Sequence, residues 1–376
     1  MTADMILTGA ALALPGAVLA GTLVVRDGRI LEVQPGRSAA PGAIGLDGDL
    51  LIPGIVDLHT DNLERQVQPR INARWPSRSA LMAHDAQCAV AGVTTVLDAL
   101  CLGDLGFEKD RVRTFREGVA DIDALADTGL LRAEHFLHLR CEIPAPDMLA
   151  LFDPVAEHPR VRMVSLMDHT PGVGQYADLD HYRKLRRDSG TAANEVEQRI
   201  AELQAQRGRL RDGNRRAVLA RLVGRHVALA SHDDRTAVEV AENLADGITV
   251  SEFPVTMEAA AAARAQGMQV IAGAPNLVRG GSHSGNVAVA ALLEAAAVDA
   301  LASDYVPTSL IEAAFHRAAG TLPDAVALVT DRPARIAGLA DRGRLAPGLR
   351  ADLVRVRLHE GLPVVRAVWR AGERMA

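Results

Sequence analysis

Aromatic residues are scarce in this 376-residue chain: two Trp, three Tyr and six Phe, 3% in all. A nucleic-acid surface needs such rings interleaved with basic residues, and no block of that kind occurs, so nucleic acid is not an expected partner. The net charge of -6 is mild. Lysine is nearly missing, with only Lys109 and Lys184 among 41 basic residues; codon bias produces such a preference without a functional cause. Cysteine is limited to Cys88, Cys101 and Cys141, an odd number with no close C-x-x-C pair. That excludes a disulfide framework and predicts buried thiols in a reducing, cytoplasmic setting. No apolar run has the length and purity of a membrane span. Ile6 to Gly21 comes nearest to a secretion signal, but it lacks a basic leading region and Pro15 interrupts it. It runs on into Thr22 to Ile30, which reads as strand, tight turn and strand.

What the chain has in quantity is Ala, Val and Leu, the composition of buried parallel strands. Its middle repeats one unit: aliphatic strand, polar residue at the strand end, loop, helix. Val93–Ala99, Phe136–Glu142, Val161–His169, His226–Asp233, Ile248–Phe253, Val270–Ala274 and Ala300–Asp304 are such strands. The alternation predicts an α/β fold, a (β/α)8 TIM-like barrel over residues 51–339. Residues 1–50 and 340–376 are both rich in short strands and predict one small β-sandwich domain assembled from the two termini. The polar stretch from Tyr176 to Arg225 exceeds a barrel crossover. It reads as a solvated helical excursion, with a lid carrying Arg and Lys toward the site as the alternative.

In a TIM-like barrel chemistry gathers at the carboxyl ends of the strands. The groups falling there are His59, Asp61, Glu142, His169, His232 and Asp304. Any one of the histidines alone is more often a structural residue. Histidine nitrogens and carboxylate oxygens drawn from separate strand ends are, taken together, what a hydrolytic metal site needs, and Zn²⁺ or Mn²⁺ accepts such ligands.

The segments Pro53-Gly54-Ile55-Val56-Asp57-Leu58-His59 and Pro347-Gly348-x-x-Ala351-Asp352-Leu353, with the outer β module, resemble the amidohydrolase superfamily across the whole chain. The resemblance implies a His-x-His pair on the first strand, a carboxylated Lys or a Glu on the fourth, a His on each of the fifth and sixth, and an Asp on the eighth. Asp61 stands where the second His belongs, and with no lysine near the fourth strand Glu142 is left as the bridging ligand. His59-Thr60-Asp61-Asn62-Leu63-Glu64, His84-Asp85-Ala86-Gln87 and the long run Ala274 to Asn286 resemble one branch more closely, the diphosphatases of the carbon–phosphorus lyase pathway. That resemblance implies a metal-dependent hydrolase converting α-D-ribose 1-methylphosphonate 5-triphosphate to the 5-phosphate and pyrophosphate. It implies one or two divalent ions, Zn or else Mn or Fe, with Asp304 moving the proton as well as serving among the ligands.

A triphosphate wants cations, backbone N–H groups and hydroxyls. Arg279, Gly280, Gly281, Ser282, His283 and Asn286 offer these in one loop, and Lys184 and His84 are further expected substrate contacts. The expected partner is the small ribosyl triphosphate, with a homodimer possible in principle. Two other readings compete: a cyclic amidase or deacetylase on the same fold, and a catalytically silent barrel serving as a scaffold. The anion-binding loop argues against the first and the full set of metal-binding groups against the second.

Overall fold

The computed structural model describes residues 4–70, 72–106, 110–282 and 284–376. Five strands come first: β1 (Met5–Leu14), β2 (Ala17–Arg26), β3 (Arg29–Pro35), β4 (Ile44–Gly45) and β5 (Leu50–Pro53). They join β14 (Leu353–His359), β15 (Leu362–Arg370) and β16 (Glu373–Arg374) from the far end of the chain in one mixed sheet. Its order is β16-β15-β14-β5-β1-β2-β3, with β4 pairing β1. The sheet folds over so that the β2–β3 turn meets the turn after β15, where a Cβ added to Gly28 would lie 2.9 Å from the Ala371 carbonyl. Leu7, Leu12, Leu23, Leu353 and Trp369 are buried together between its halves.

The barrel takes its strands in chain order: β6 (Ile55–Thr60), β7 (Val93–Leu102), β8 (Glu134–Glu142), β9 (Val161–Met167), β10 (Ala228–His232), β11 (Val250–Glu252), β12 (Gln269–Gly273) and β13 (Ala300–Ala302). All adjacent pairs are parallel. Every residue of β6 and β7 is buried, as expected of strands covered on both faces. The seam between β6 and β13 is joined at its carboxyl end by a parallel bridge between Thr60 and Asp304. There the Asp304 N–H donates to the His59 carbonyl at 2.9 Å. Lower down the seam is filled by another segment: the Val56 N–H donates to the Val329 carbonyl and the Leu301 N–H to the Leu328 carbonyl, each at 2.9 Å.

The chain passes from sheet to barrel at Gly54. A Cβ there would lie 2.3 Å from Thr94 Oγ1 and 2.7 Å from the Asp352 Cβ, so no side chain fits. Glu134 accepts from Arg342 and Arg350 at the same junction, and Arg350 also binds Asp352. The α-helices between β6 and β10 are α1 (Asn62–Val67), α2 (Ser77–Val90), α3 (Arg111–Leu125), α4 (Met148–Phe152), α5 (Leu179–Asp188) and α6 (Ala193–Leu222). Within the long polar stretch, α6 runs for 30 residues and anchors Leu203, Val218 and Leu222 in the barrel's outer core, so it is more than a solvated excursion. α5 brings Leu185 and Arg186 to the cavity at the barrel mouth. The three cysteines are buried and unpaired, and burial pushes the Cys101 thiol up to about 12. Among the described residues, no helix is long and apolar enough to cross a membrane.

Candidate active site and metal centre

A cavity of about 750 Å³ opens at the carboxyl ends of the barrel strands. His59, Asp61, His169, His232 and Asp304 all reach it, so residues up to 245 positions apart in sequence converge as their strand-end placement predicts. The pairing of β6 with β7 shifts between Asp57 and Thr60, a bulge that re-aims the strand where His59 leaves it. His59 Nε2 then stands 3.4 Å from Asp61 Oδ1.

The donors form two neighbouring groups. His169 Nε2 and His232 Nε2 lie 3.8 and 3.7 Å from Asp233 Oδ2. His59, Asp61 and Asp304 form the second group, and within each group the nearest donor atoms lie within 4.8 Å of one another. Asp233 Oδ2 and His59 Nε2 are buried without any hydrogen-bond partner. Burial of unpaired polar atoms is unfavourable unless something else satisfies them, and a divalent cation between two imidazoles and a carboxylate does so. The residues present therefore fit the metal that an amidohydrolase fold implies.

Glu252, at the end of β11, holds this arrangement in place. Its Oε1 accepts from His59 Nδ1 and its Oε2 from His232 Nδ1, both at 2.7 Å, which turns both Nε2 atoms toward the cavity. Ser165 Oγ donates to Oε2 at 2.8 Å. Burial works against charge here, but the adjacent imidazoles outweigh it and hold the Glu252 carboxyl well below the usual range. In return, Glu252 overcomes burial and raises His59 to about 10. His138 beneath them is desolvated and pushed down to about 3. Asp304 is shifted up, by burial first and then by the like charge of Asp61.

Asp233, Phe253 and Asp304, at the ends of three barrel strands, have φ of +59°, +54° and +55°. Left-handed backbone is unfavourable for residues with a side chain and marks positions held by their surroundings. Asp233, the residue next to His232, places its Oδ2 3.8 Å from His169 Nε2 in this conformation. The sequence signal for Asp233 was its place in Ser231-His232-Asp233-Asp234. Glu252 was visible as a polar strand end, but nothing local marked it as shared by two histidines.

Several expected contacts are corrected. Glu142 ends the third barrel strand, not the fourth, with His169 following the fourth and His232 ending the fifth. Glu142 is not among the cavity-lining residues: Oε1 accepts the His169 backbone N–H at 2.8 Å and Oε2 accepts from Nδ1 at 2.6 Å, so both oxygens orient the His169 imidazole and neither is placed to bridge ions. His84 is fully buried behind the barrel wall, where Nε2 donates to Asp98 at 2.8 Å and Nδ1 pairs with Asn62 at 2.9 Å, so it cannot touch substrate. Lys184 lies on the exposed side of α5, whose cavity-lining residues are Leu185 and Arg186. Gly280 (φ +80°) and Gly281 end the helix Ala274–Arg279 through N–H bonds to Leu277 and Asn276, a helix-stopping role and not an approach to an anion. His283 lies outside the described residues.

Arg279, Ser282 and Asn286 do line the cavity, with Ser284 between them. Asn276 fixes this loop by donating to the Val287 carbonyl at 3.1 Å and accepting from the Val289 N–H at 3.0 Å. Arg111, Arg140 and the Arg186 of α5 line the same cavity. Arg186 lies 5.0 Å over the Tyr182 ring, Tyr182 packs edge-on to Tyr176 at 5.4 Å, and Tyr176 packs on His169 at 6.1 Å. The cavity thus combines a cation site with four guanidinium groups, a combination suited to a polyanion.

No family model matches the chain. It is 42% identical over 377 aligned positions to the alpha-D-ribose 1-methylphosphonate 5-triphosphate diphosphatase of Escherichia coli (strain K12), covering 99% of this chain and 100% of that one. Among solved structures it resembles an amidohydrolase at a TM-score of 0.64 and 16% identity, over 99% of this chain and 98% of that one. It also resembles a variant of N-acetyl-D-glucosamine-6-phosphate deacetylase from Mycobacterium smegmatis in complex with N-acetyl-D-glucosamine-6-phosphate (TM-score 0.64, 19% identity, 100% of both chains). Molinate hydrolase gives a TM-score of 0.65 at 11% identity, over 99% of this chain and 94% of that one. At such identities the structural likeness carries the fold alone, that of the amidohydrolases.

Proposed function

The chain belongs to the alpha-D-ribose 1-methylphosphonate 5-triphosphate diphosphatase family, and from that membership we propose that it hydrolyses this triphosphate to the 5-phosphate and pyrophosphate. The observation that supports the reading is the cavity itself, in which metal-binding groups face Arg111, Arg140, Arg186 and Arg279. A small neutral amide has no use for so many guanidinium groups, whereas a triphosphate is matched by them.

His169, His232 and Asp233 best suit a divalent ion, with His59, Asp61 and Asp304 beside them. Two imidazoles and a carboxylate are a donor set for zinc, with manganese or iron as substitutes. When bound, such an ion supplies Lewis acidity toward water and toward phosphoryl oxygen. The protein's own groups do the rest. Asp304, shifted up and at the cavity wall, accepts the proton of the attacking water as the new P–O bond forms. The bond to pyrophosphate breaks, and Arg279 and Arg186 hold the charge that leaves with it. Glu252 and Glu142 keep the imidazoles aimed throughout.

The catalytic unit is residues 51–339, with residues 1–50 and 340–376 as the supporting β unit. The enzyme works in the cytoplasm on a small-molecule substrate without nucleic acid, a setting supported by its three free buried thiols. The test is incubation of the metal-loaded protein with ribosyl and nucleoside triphosphates, scoring pyrophosphate against orthophosphate. Pyrophosphate release that a chelator abolishes is expected. Orthophosphate release, or no release from any ribosyl triphosphate, rejects the reading.

A further inference from the structure

The two groups of metal-binding side chains differ in one respect that ligand type conceals. Arg140 projects from β8 into the centre of the site and is 5% exposed. Its Nη1 donates to Asp61 Oδ1 at 2.6 Å, and its Nε lies 3.3 Å from Met167 Sδ. The same Asp61 oxygen is the one 3.4 Å from His59 Nε2. The Asp61 oxygen nearest His59 is therefore already held by a guanidinium. Arginine does not give up its proton in a protein, so this is a permanent positive charge competing with any ion for Asp61. Each group has one buried atom without a hydrogen-bond partner, His59 Nε2 in the His59, Asp61 and Asp304 group and Asp233 Oδ2 in the His169, His232 and Asp233 group, but only in the former does a guanidinium already hold the carboxylate.

We propose that Arg140 is a resident cation of this site: the chain holds one divalent ion, at His169, His232 and Asp233, and the guanidinium clamped by Asp61 contacts the reacting phosphoryl group from the other side. The phosphoryl contact rests on the triphosphate reading above; the ion count does not. Asp61 then orients Arg140 and is not a metal ligand. A guanidinium wall-mounted beside the reacting phosphorus offers N–H donors already in position when charge shifts onto the pyrophosphate oxygen. It does for that charge what a second ion would do, without being lost to a chelator.

Equilibrium dialysis of the full chain against Zn²⁺, followed by elemental analysis, tests the count. The wild-type protein is expected to hold one ion per chain. Arg140→Met, which removes the charge but keeps an unbranched side chain, is expected to hold two, because Asp61 is released to join His59 and Asp304. Arg140→Lys keeps a cation and is expected to hold one. Turnover should fall about 10²–10³-fold in Arg140→Met, by analogy with loss of a preorganised charge donor, and less in Arg140→Lys. Two tightly held ions in the wild-type protein overturn the proposal without recourse to any variant. So does an Arg140→Met protein that is folded by circular dichroism and still holds one. If the counts come out as expected but no form releases pyrophosphate from a ribosyl triphosphate, the substrate reading and the phosphate contact fall, and the single-ion assignment stands.

Discussion

His59 and His232 are steered by one side chain: Glu252 accepts from the Nδ1 of each at 2.7 Å, one carboxylate oxygen apiece. Their rings stack with centroids 6.0 Å apart and planes 17° from parallel. The two imidazoles belong to different clusters of the cavity, and a residue that does not line it fixes the Nδ1 side of both.

Glu252→Gln keeps the shape but can accept through only one oxygen while its amide faces the other ring. Removing such an orienting partner typically weakens metal affinity about 10–100-fold. Competition against a chromophoric chelator measures it, and unchanged affinity in a folded variant would show that the histidines are aimed by packing alone.

Asp304→Asn separates proton transfer from metal retention. Turnover should drop by about 10²–10⁴-fold, while the dialysed protein keeps its metal. Should the metal leave with the carboxylate, Asp304 is a ligand first and the proton-transfer role fails.

The cavity arginines and the exposed lysine give opposite expectations. Arg186→Ala and Arg279→Ala each remove a charged donor, worth roughly 10–100-fold in binding. That loss should appear in KM for the triphosphate more than in kcat. Lys184→Ala, on the outer side of α5, should leave both constants within about twofold. Steady-state kinetics on the purified variants decides between them.

The network behind the barrel wall should govern stability and not chemistry. His135 donates to Asp98 at 2.8 Å, and its other nitrogen is 3.3 Å from Asp85. Burial opposes its charge, but Asp98 and Asp85 raise it from an ordinary 6.5 to about 9. A raised histidine contributes stability that is fully present below 6.5 and lost as pH climbs through about 9. Asp98 and Asp85 are buried too, yet their histidine partners hold them below the ordinary carboxylate value of 3.8. Their contribution is complete above that value and is lost as pH falls through their lowered ones. Thermal unfolding followed against pH should therefore show its plateau between about 4 and 6.5. His135→Ala should lower stability by about 3–5 kcal/mol and flatten the alkaline limb, with kcat of the folded fraction unchanged.

Much of this architecture was legible because parallel strands are aliphatic and end in polar residues, a pattern that needs no long-range information. That is how His59, Asp61, His169, His232 and Asp304 were found together. The failures are of one physical kind. A strand end fixes where a side chain starts, not which neighbour it meets. Glu142 was expected to face an ion, but His169 takes both of its oxygens. His84 was expected to touch substrate, but α2 turns it onto Asp98 of the barrel wall, away from the cavity. Glu252 reaches His59 across 193 residues of sequence, and Arg140 reaches Asp61 across 79. Asp233 approaches His169 from a left-handed backbone, a conformation nothing local dictates.

The bridge between Thr60 and Asp304 joins the first and last barrel strands beside the cavity-lining His59 and Asp61. Closing the ring and seating the Asp304 carboxylate next to His59 thus depend on one and the same backbone pairing.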